Sequence, residues 1–272
     1  MSSQRGRAAQ PALLKYPRTQ HLQGSRLQPG DEDLDQVPFA RALAGRHVVV
    51  EEKLDGANAA VSFDADGRLL LQSRGHYLTG GPRERHFGPF KQWAATVQHP
   101  LRERLGDRYV LYGEWMYAKH TCYYDALPHW FCAFDVHDRA TGGFLSTPAR
   151  AALLDGAPVV PVPVLHQGRI GSLKELTDLV GPSTVRTAAW RESLAAAAAE
   201  AGVDPAAAAA QTDAAEEMEG LYLKVEEGEE TVARYKWVRA GFLTSILDAG
   251  THWLDRPIVV NRLADPGVMH AL

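Results

Sequence analysis

"VVVEEKLDGANAAVSF", Val48 to Phe63, decides how this chain is read. An apolar run, a short polar break and a second apolar run predict two strands, His47 to Lys53 and Asn58 to Phe63, joined by a tight turn as a buried hairpin. Lys53 stands in the break beside Glu51, Glu52 and Asp55. That grouping is either an ordinary ion pair or a lysine with chemistry to perform. An unperturbed lysine, with a pKa of about 10.4, is protonated at neutral pH. A nucleophilic amine must shed that proton, through burial or a nearby cation. Carboxylates alone act the other way, unless a bound divalent ion offsets them.

Working outward, "DADG" at Asp64 to Gly67 is a hairpin turn, and Arg68 to Ser73 follows as a strand. A helix is expected over Phe87 to Val97. Tyr109 to Met116 and Trp130 to Val136 read as buried strands from their β-branched and aromatic content. Thr147 and Pro148 open a helix, "SLKE" at Ser172 to Glu175 is a capping box, and Asp204-Pro205 restarts a helix in an alanine-rich stretch. Gly220 to Glu226 and Thr231 to Val238 form a hairpin, and Thr244 to Leu254 a short helix. Residues 15 to 35 read as an extended loop with a basic start and an acidic end. Strands, then helices, then strands indicate an α+β domain built on antiparallel sheets flanked by helices.

The chain has 272 residues, 45% hydrophobic and 23% charged, enough for a sizeable core. No run reaches the roughly 20 apolar residues of a membrane span, so no membrane partner is expected. Residues 1 to 14 read as a disordered tail without the apolar centre of a signal peptide. Two cysteines argue against a disulfide framework and for a reducing cytoplasm. A net charge of −4 excludes a uniformly basic surface, so any polyanion must bind in a local groove. His120, Cys122, His129 and Cys132 lack the spacing of a zinc site, and neither a P-loop nor a G-x-S-x-G is present.

Five further segments follow "KLDG" in order: "SRG" at Ser73 to Gly75, "YGEW" at Tyr112 to Trp115, "FCAFD" at Phe131 to Asp135, "EGLYLK" at Glu219 to Lys224, and "ARYKW" at Ala233 to Trp237. Each sets polar groups in or beside a strand that otherwise reads as core. Six such breaks in one chain predict strands converging on a shared polar pocket.

This series resembles the covalent nucleotidyltransferase superfamily of DNA ligases, RNA ligases and capping enzymes. It is most similar to the phage RNA ligase 2-like RNA ligases, because Asn58 stands where DNA ligases and capping enzymes usually carry arginine. The resemblance implies a nucleotidyltransferase (ATP-grasp-like ligase adenylation) domain over residues 15 to 240, with a helical insertion at about 165 to 218. Residues 241 to 272 would be a short helix and tail without an OB domain. It implies ATP and Mg²⁺ (or Mn²⁺) as cofactors. Lys53 would take up AMP, pass it to an RNA 5′-phosphate, and a 3′-hydroxyl would then seal the strand. Arg74 would meet the sugar and phosphate, Glu114 the ribose hydroxyls and Phe134 the adenine face. Asp135, Glu52, Asn58 and Arg234 would support the nucleotide site, and Glu219 and Asp55 the metal. Lys224 and Lys236 would hold the α-phosphate and the departing pyrophosphate. Arg234 departs from the family's usual lysine. The basic segment at 15 to 26 and "RERHFGPFK" at Arg83 to Lys91 are candidate RNA edges. A partner protein for RNA binding or end processing is a further expectation. Other readings of the same residues are transfer to a DNA end or cap, and a non-catalytic RNA-binding module.

Overall fold

The two strands of the opening stretch do not pair with each other. Val48–Glu52 (β3) pairs antiparallel with Val164–Gly168 (β9) and Gly220–Glu227 (β10). Ala57–Phe63 (β4) pairs antiparallel with Leu69–Ser73 (β5) and Tyr109–Trp115 (β6). The expected hairpin is instead a crossing from one sheet to another. The reason lies in burial. Every residue of β3 is buried, so the strand needs neighbours on both edges and cover on both faces.

The computed structural model describes residues 11–27, 31, 35–242 and 257–269. The remaining strands are Gln20–Leu22 (β1), Gln36–Val37 (β2), Phe131–Asp138 (β7), Val160–Pro161 (β8) and Glu230–Val238 (β11). They complete a six-stranded sheet, β2-β1-β11-β10-β3-β9, and a five-stranded sheet, β5-β4-β6-β7-β8. Both are mixed: β1 runs parallel to β2 and β11, and β7 parallel to β8. The antiparallel expectation therefore holds except at one edge of each sheet, where β1, β2 and β8 make parallel pairs. Those three strands have two or three residues, too few to print a period of two on the sequence.

Helices cover the outer faces. Gly88–Thr96 (α2) and Gln98–Leu105 (α3) bring Phe90, Trp93 and Leu101 onto Phe63, Leu111 and Phe131 of the five-stranded sheet. Phe39–Ala42 (α1) and Leu173–Thr177 (α5) bring Ala42 and Leu176 onto Val48, Val50, Leu221 and Leu223 of the other. Burying each such side chain is worth about 1.5–3 kcal/mol. Two sheets with their outer faces covered leave their inner faces to form a cleft.

Local signals fared unevenly. Ser172 Oγ accepts from the Glu175 amide at 3.1 Å, and Asp204 caps Pro205–Ala210 (α7) through the Ala206 and Ala207 amides. Thr147 is not the cap of Thr147–Leu153 (α4); Ser146 holds that position, and the Thr147 amide and hydroxyl both donate to Glu226 on β10. Residues 165 to 168, read as the start of the helical insertion, belong to β9. The helices of that region are α5, Trp190–Glu200 (α6) and α7. Residues 15 to 35 contain β1, whose pairing with β11 makes it part of the sheet. Within the expected tail, the Leu14 carbonyl accepts from Gln72 Nε2 and the Tyr112 hydroxyl. The helix expected over Thr244 to Leu254 lies outside the described residues. Among the described residues, no helix is long and apolar enough to cross a membrane.

Candidate active site

A cavity of about 590 Å³ opens between the inner faces of the sheets. Lys53 enters from the end of β3, Glu219 and Tyr222 from β10 and its approach, and Lys236 from β11. From the other sheet come Asn58 on β4, Ser73 and Arg74 at the end of β5, Glu114 on β6 and Phe134 on β7. These residues span 184 positions of sequence, 53 to 236, and meet because both sheets turn the same face inward.

The lysine loop is held on every side. The Lys53 amide donates to the Gly220 carbonyl at 3.0 Å. Asp55 Oδ2 accepts from the Thr121 and Cys122 amides, each at 2.7 Å, and the Asp55 amide donates to the Tyr124 hydroxyl at 2.9 Å. Gly56 is required by close approach: a Cβ there would lie 2.6 Å from Met116 Sδ and 2.8 Å from the Trp115 carbonyl oxygen. The Gly56 amide donates to Glu114 Oε1 at 3.2 Å.

Lys53 Nζ lies 2.6 Å from Glu219 Oε1. Burial pulls its pKa down, but Glu219, Asp55 and Glu114 outweigh that and leave it above its ordinary value. Burial pushes the Glu114 carboxyl up to about 8, with Asp55 and Glu219 adding to the rise and Lys53 opposing it. Lys236 is shifted down, by burial first and by Lys53 as well, although Asp31 stabilises its charge. The Asn58 Oδ1 atom is buried without a hydrogen-bond donor. The cavity therefore holds two ammonium groups, several carboxylates and one waiting acceptor.

Three of the expected site residues stand behind the wall. Lys224 is 1% exposed and its Nζ is enclosed by Glu51 at 2.9 Å, Asp135 at 3.1 Å and the Phe134 carbonyl. Arg150 of α4 also reaches Glu51, at 3.1 Å. Asp135 turns away from the cavity to Lys224 and to the Tyr16 hydroxyl, which donates to it at 2.5 Å. Arg234 stacks its guanidinium 3.7 Å from the centre of the Phe144 ring. Strand alternation puts Lys224 and Arg234, and the register shift of β7 at Phe134 puts Asp135, on the inward face but a level deeper, where charge must be paired. Glu52 lines the cavity with its carboxylate bonded to Ser183 and Thr184.

Other lining residues went unassigned by sequence reasoning. Tyr16, Pro17 and Thr19 come from the segment marked as a possible extension of the site, while Arg18 pairs with Asp31 rather than facing the cavity. Asp31, which also contacts His21 and Lys236, had no signal beyond an acidic run. Phe87 is the cavity-lining member of the "RERHFGPFK" stretch. Tyr222 and His120 line the wall as well. Tyr222 sits inside "EGLYLK", where its alternation with Lys224 places it inward.

Residues 46–238 match the family model described as RNA ligase. Naegleria gruberi RNA ligase with PPi superposes with a TM-score of 0.54 at 17% identity, over 88% of this chain and 59% of that one. A mutant of the same enzyme with ATP and Mn gives a TM-score of 0.52 at 16% identity, over 85% and 58%. The chain thus spans under two thirds of the length of these solved structures, and at such identities they share its fold. No curated protein sequence matches. The matched span opens just ahead of β3 and closes with β11, enclosing Lys53, Arg74, Glu114, Glu219 and Lys236. The chain that builds this two-sheet cavity belongs to the RNA ligase family.

Proposed function

We propose that the protein is an ATP-dependent RNA ligase that works through a covalent lysyl-AMP on Lys53. One observation carries the reading: Lys53 Nζ, 2.6 Å from Glu219, stands in a cavity shared with Arg74, Glu114, Phe134 and Lys236. In the first step the neutral Lys53 amine attacks the α-phosphorus of ATP, forming a P–N bond as pyrophosphate leaves. The RNA 5′-phosphate then displaces the lysine and carries AMP. Finally a 3′-hydroxyl attacks that phosphate and AMP departs.

The resting ion pair stores Lys53 protonated, so Glu219 is placed to take part in removing its proton. Lys236 and Arg74 set positive charge beside the phosphates, where preorganised charge lowers the barrier to phosphoryl transfer most. Phe134 offers an aromatic face to the base. Glu114 and the unpaired Asn58 Oδ1 supply acceptors for sugar hydroxyls. Lys224, Asp135 and Arg234 act from behind, as a charged floor that fixes Glu51 and the β7 strand.

Among the described residues, no three acidic, histidine or cysteine groups converge on one point as a ready-made metal cage. A Mg²⁺ or Mn²⁺ site of one or two carboxylates, completed by phosphate oxygens and water, fits the cavity instead. Glu219 and the Oδ1 of Asp55 would be its protein donors, since Asp55 Oδ2 is already taken by two amides. Bound there, the ion supplies positive charge that offsets the carboxylates around Lys53.

The test is adduct formation. The protein, incubated with α-labelled ATP and a divalent ion, should carry label through a denaturing gel, and Lys53→Ala should carry none. Release of that label onto a 5′-phosphorylated RNA, with joining to a 3′-hydroxyl end, completes the case. Absence of any adduct, with RNA binding intact, would leave a binding module; label from GTP alone would point to capping.

A further inference from the structure

We propose that Asp31, fixed by His21 and Ser25, is a positioning residue that aims the Lys236 ammonium at the phosphates of the bound nucleotide. This deepens the ligase reading above and rests on it.

Lys236 lines the cavity from β11. Its register partner on the parallel strand β1 is His21, so the imidazole and the lysine leave the same side of the sheet. Both reach one carboxylate oxygen. Asp31 Oδ2 contacts Lys236 Nζ and accepts from His21 Nε2 at 3.1 Å. Behind them, Ser25 Oγ lies 2.7 Å from His21 Nδ1 and accepts from the Val238 amide at 2.9 Å. Gly24, at φ +78°, supplies the turn that brings Ser25 back to His21. Val238 stands two residues beyond Lys236 on β11. The bonds therefore run from β11 through Ser25, His21 and Asp31 and return to β11 as a closed ring. Their directions follow from the groups. An ionised carboxylate only accepts, so His21 Nε2 carries the proton. Burial lowers the His21 pKa and keeps the imidazole neutral, which leaves Nδ1 to accept from the Ser25 hydroxyl.

The ring answers a specific difficulty. A lysine side chain carries about 2 kcal/mol of rotamer entropy. Burial favours loss of the Lys236 proton, and the Lys53 charge adds to that pressure. Charge lowers a barrier to phosphoryl transfer when it is already in place and need not reorganise. Asp31 keeps the ammonium both charged and still. Burial opposes the ionisation of Asp31 itself, but Lys236, His21 and Arg18, which reaches Oδ1 at 3.2 Å, bring its carboxyl down to about 2. A histidine buried for packing alone has no need of a carboxylate that also grips a cavity-facing cation.

The experiment measures lysyl-AMP formation from α-labelled ATP in single turnovers over a range of ATP concentrations. In Asp31→Asn the rate at saturating ATP should fall about tenfold, with the half-saturating concentration held within about twofold. His21→Ala should cost about fivefold, and His21→Gln, which keeps a donor for Asp31, should recover most of that. Because His21 acts through Asp31, adding His21→Ala to Asp31→Asn should cost less than about twofold more. The proposal is overturned if Asp31→Asn keeps the parent rate, if its loss lies in the half-saturating concentration, if His21→Gln is as slow as His21→Ala, or if the two losses multiply. Should Asp31→Asn fail to fold, Ser25→Ala serves: its saturating rate should fall about threefold, and an unchanged rate overturns the proposal. Each of these outcomes leaves the covalent reading standing, since the parent forms the adduct. A parent that forms none defeats both.

Discussion

Lys53 Nζ and Glu219 Oε1 stand 2.6 Å apart, with the lysine side chain 20% exposed and the glutamate 1%. The pair joins the end of β3 to the start of β10, and the Lys53 amide bonds to Gly220 just beyond. The proposed nucleophile is therefore held at its backbone by the first residue of β10 and at its side chain by the glutamate just before that strand.

Removing that glutamate charge should free the amine. Burial lowers the pKa of Lys53 and Glu219 is the largest group raising it, so in Glu219→Gln the remaining balance shifts downward. The pH profile of Lys53 modification by an amine-reactive reagent should move to lower pH. Adduct formation from ATP should fall in the same variant. A labelling profile that stays in place, or moves up, would contradict the ion-pair assignment.

Glu114 should make stability depend on pH in an unusual direction. Its pKa is raised to about 8 by burial, assisted by Asp55 and Glu219, while an unfolded glutamate titrates at about 4.3. Between those values the folded state binds more protons than the unfolded one, so stability falls as pH rises through that window. Glu114→Gln removes the slope. Its advantage over the parent should be roughly 1–2 kcal/mol above about pH 8 and near zero at about pH 4, allowing for solvent at the cavity wall. Thermal melts across that range decide the matter.

Lys224 should behave as a structural charge. Lys224→Met strips Asp135 of its 3.1 Å partner and Glu51 of one of its two, at a cost of about 3–5 kcal/mol in urea denaturation. Adding Asp135→Asn should recover part of that loss, because it removes a buried carboxylate left with Arg234, at 3.6 Å, and the Tyr16 hydroxyl to offset it. Additive losses in the double variant would show that the two do not act as a pair.

Gly220→Ala should disrupt the site by sterics alone. An added Cβ would lie 2.0 Å from the Trp237 carbonyl oxygen and 2.9 Å from Val238 Cα, both backbone of β11. Relief requires β10 to move, which displaces the carbonyl that holds the Lys53 amide. A loss of about 2 kcal/mol or more, with reduced adduct formation, is the expected outcome. A variant of full stability and activity would show that the strand pair yields more than close packing allows.

The residues of the cavity were legible in the linear chain because their chemistry conflicts with their setting. Lys53, Glu114 and Glu219 lie in or beside apolar strands, and a charge in such a place costs too much to be accidental. The strands themselves, including the hairpin of β10 and β11, could be read from alternation and β-branched content. The family resemblance added the order of the motifs, which the matched span now encloses.

Depth and partnership were not legible. Lys224 and Lys236 look alike in sequence, both on inward faces of neighbouring strands, yet one is sealed among carboxylates and the other lines the cavity. Alternation gives the face of a strand, and only the packing of the second sheet fixes how deep each position lies. The crossing at "KLDG" was likewise read as a hairpin, since apolar runs show that a strand needs neighbours without saying which ones. The sequence by itself determined the strands and the chemical groups they carry. The tertiary structure decided which groups share the cavity, because pairing partners more than a hundred residues apart are chosen by burial of whole faces and leave no local mark on the chain.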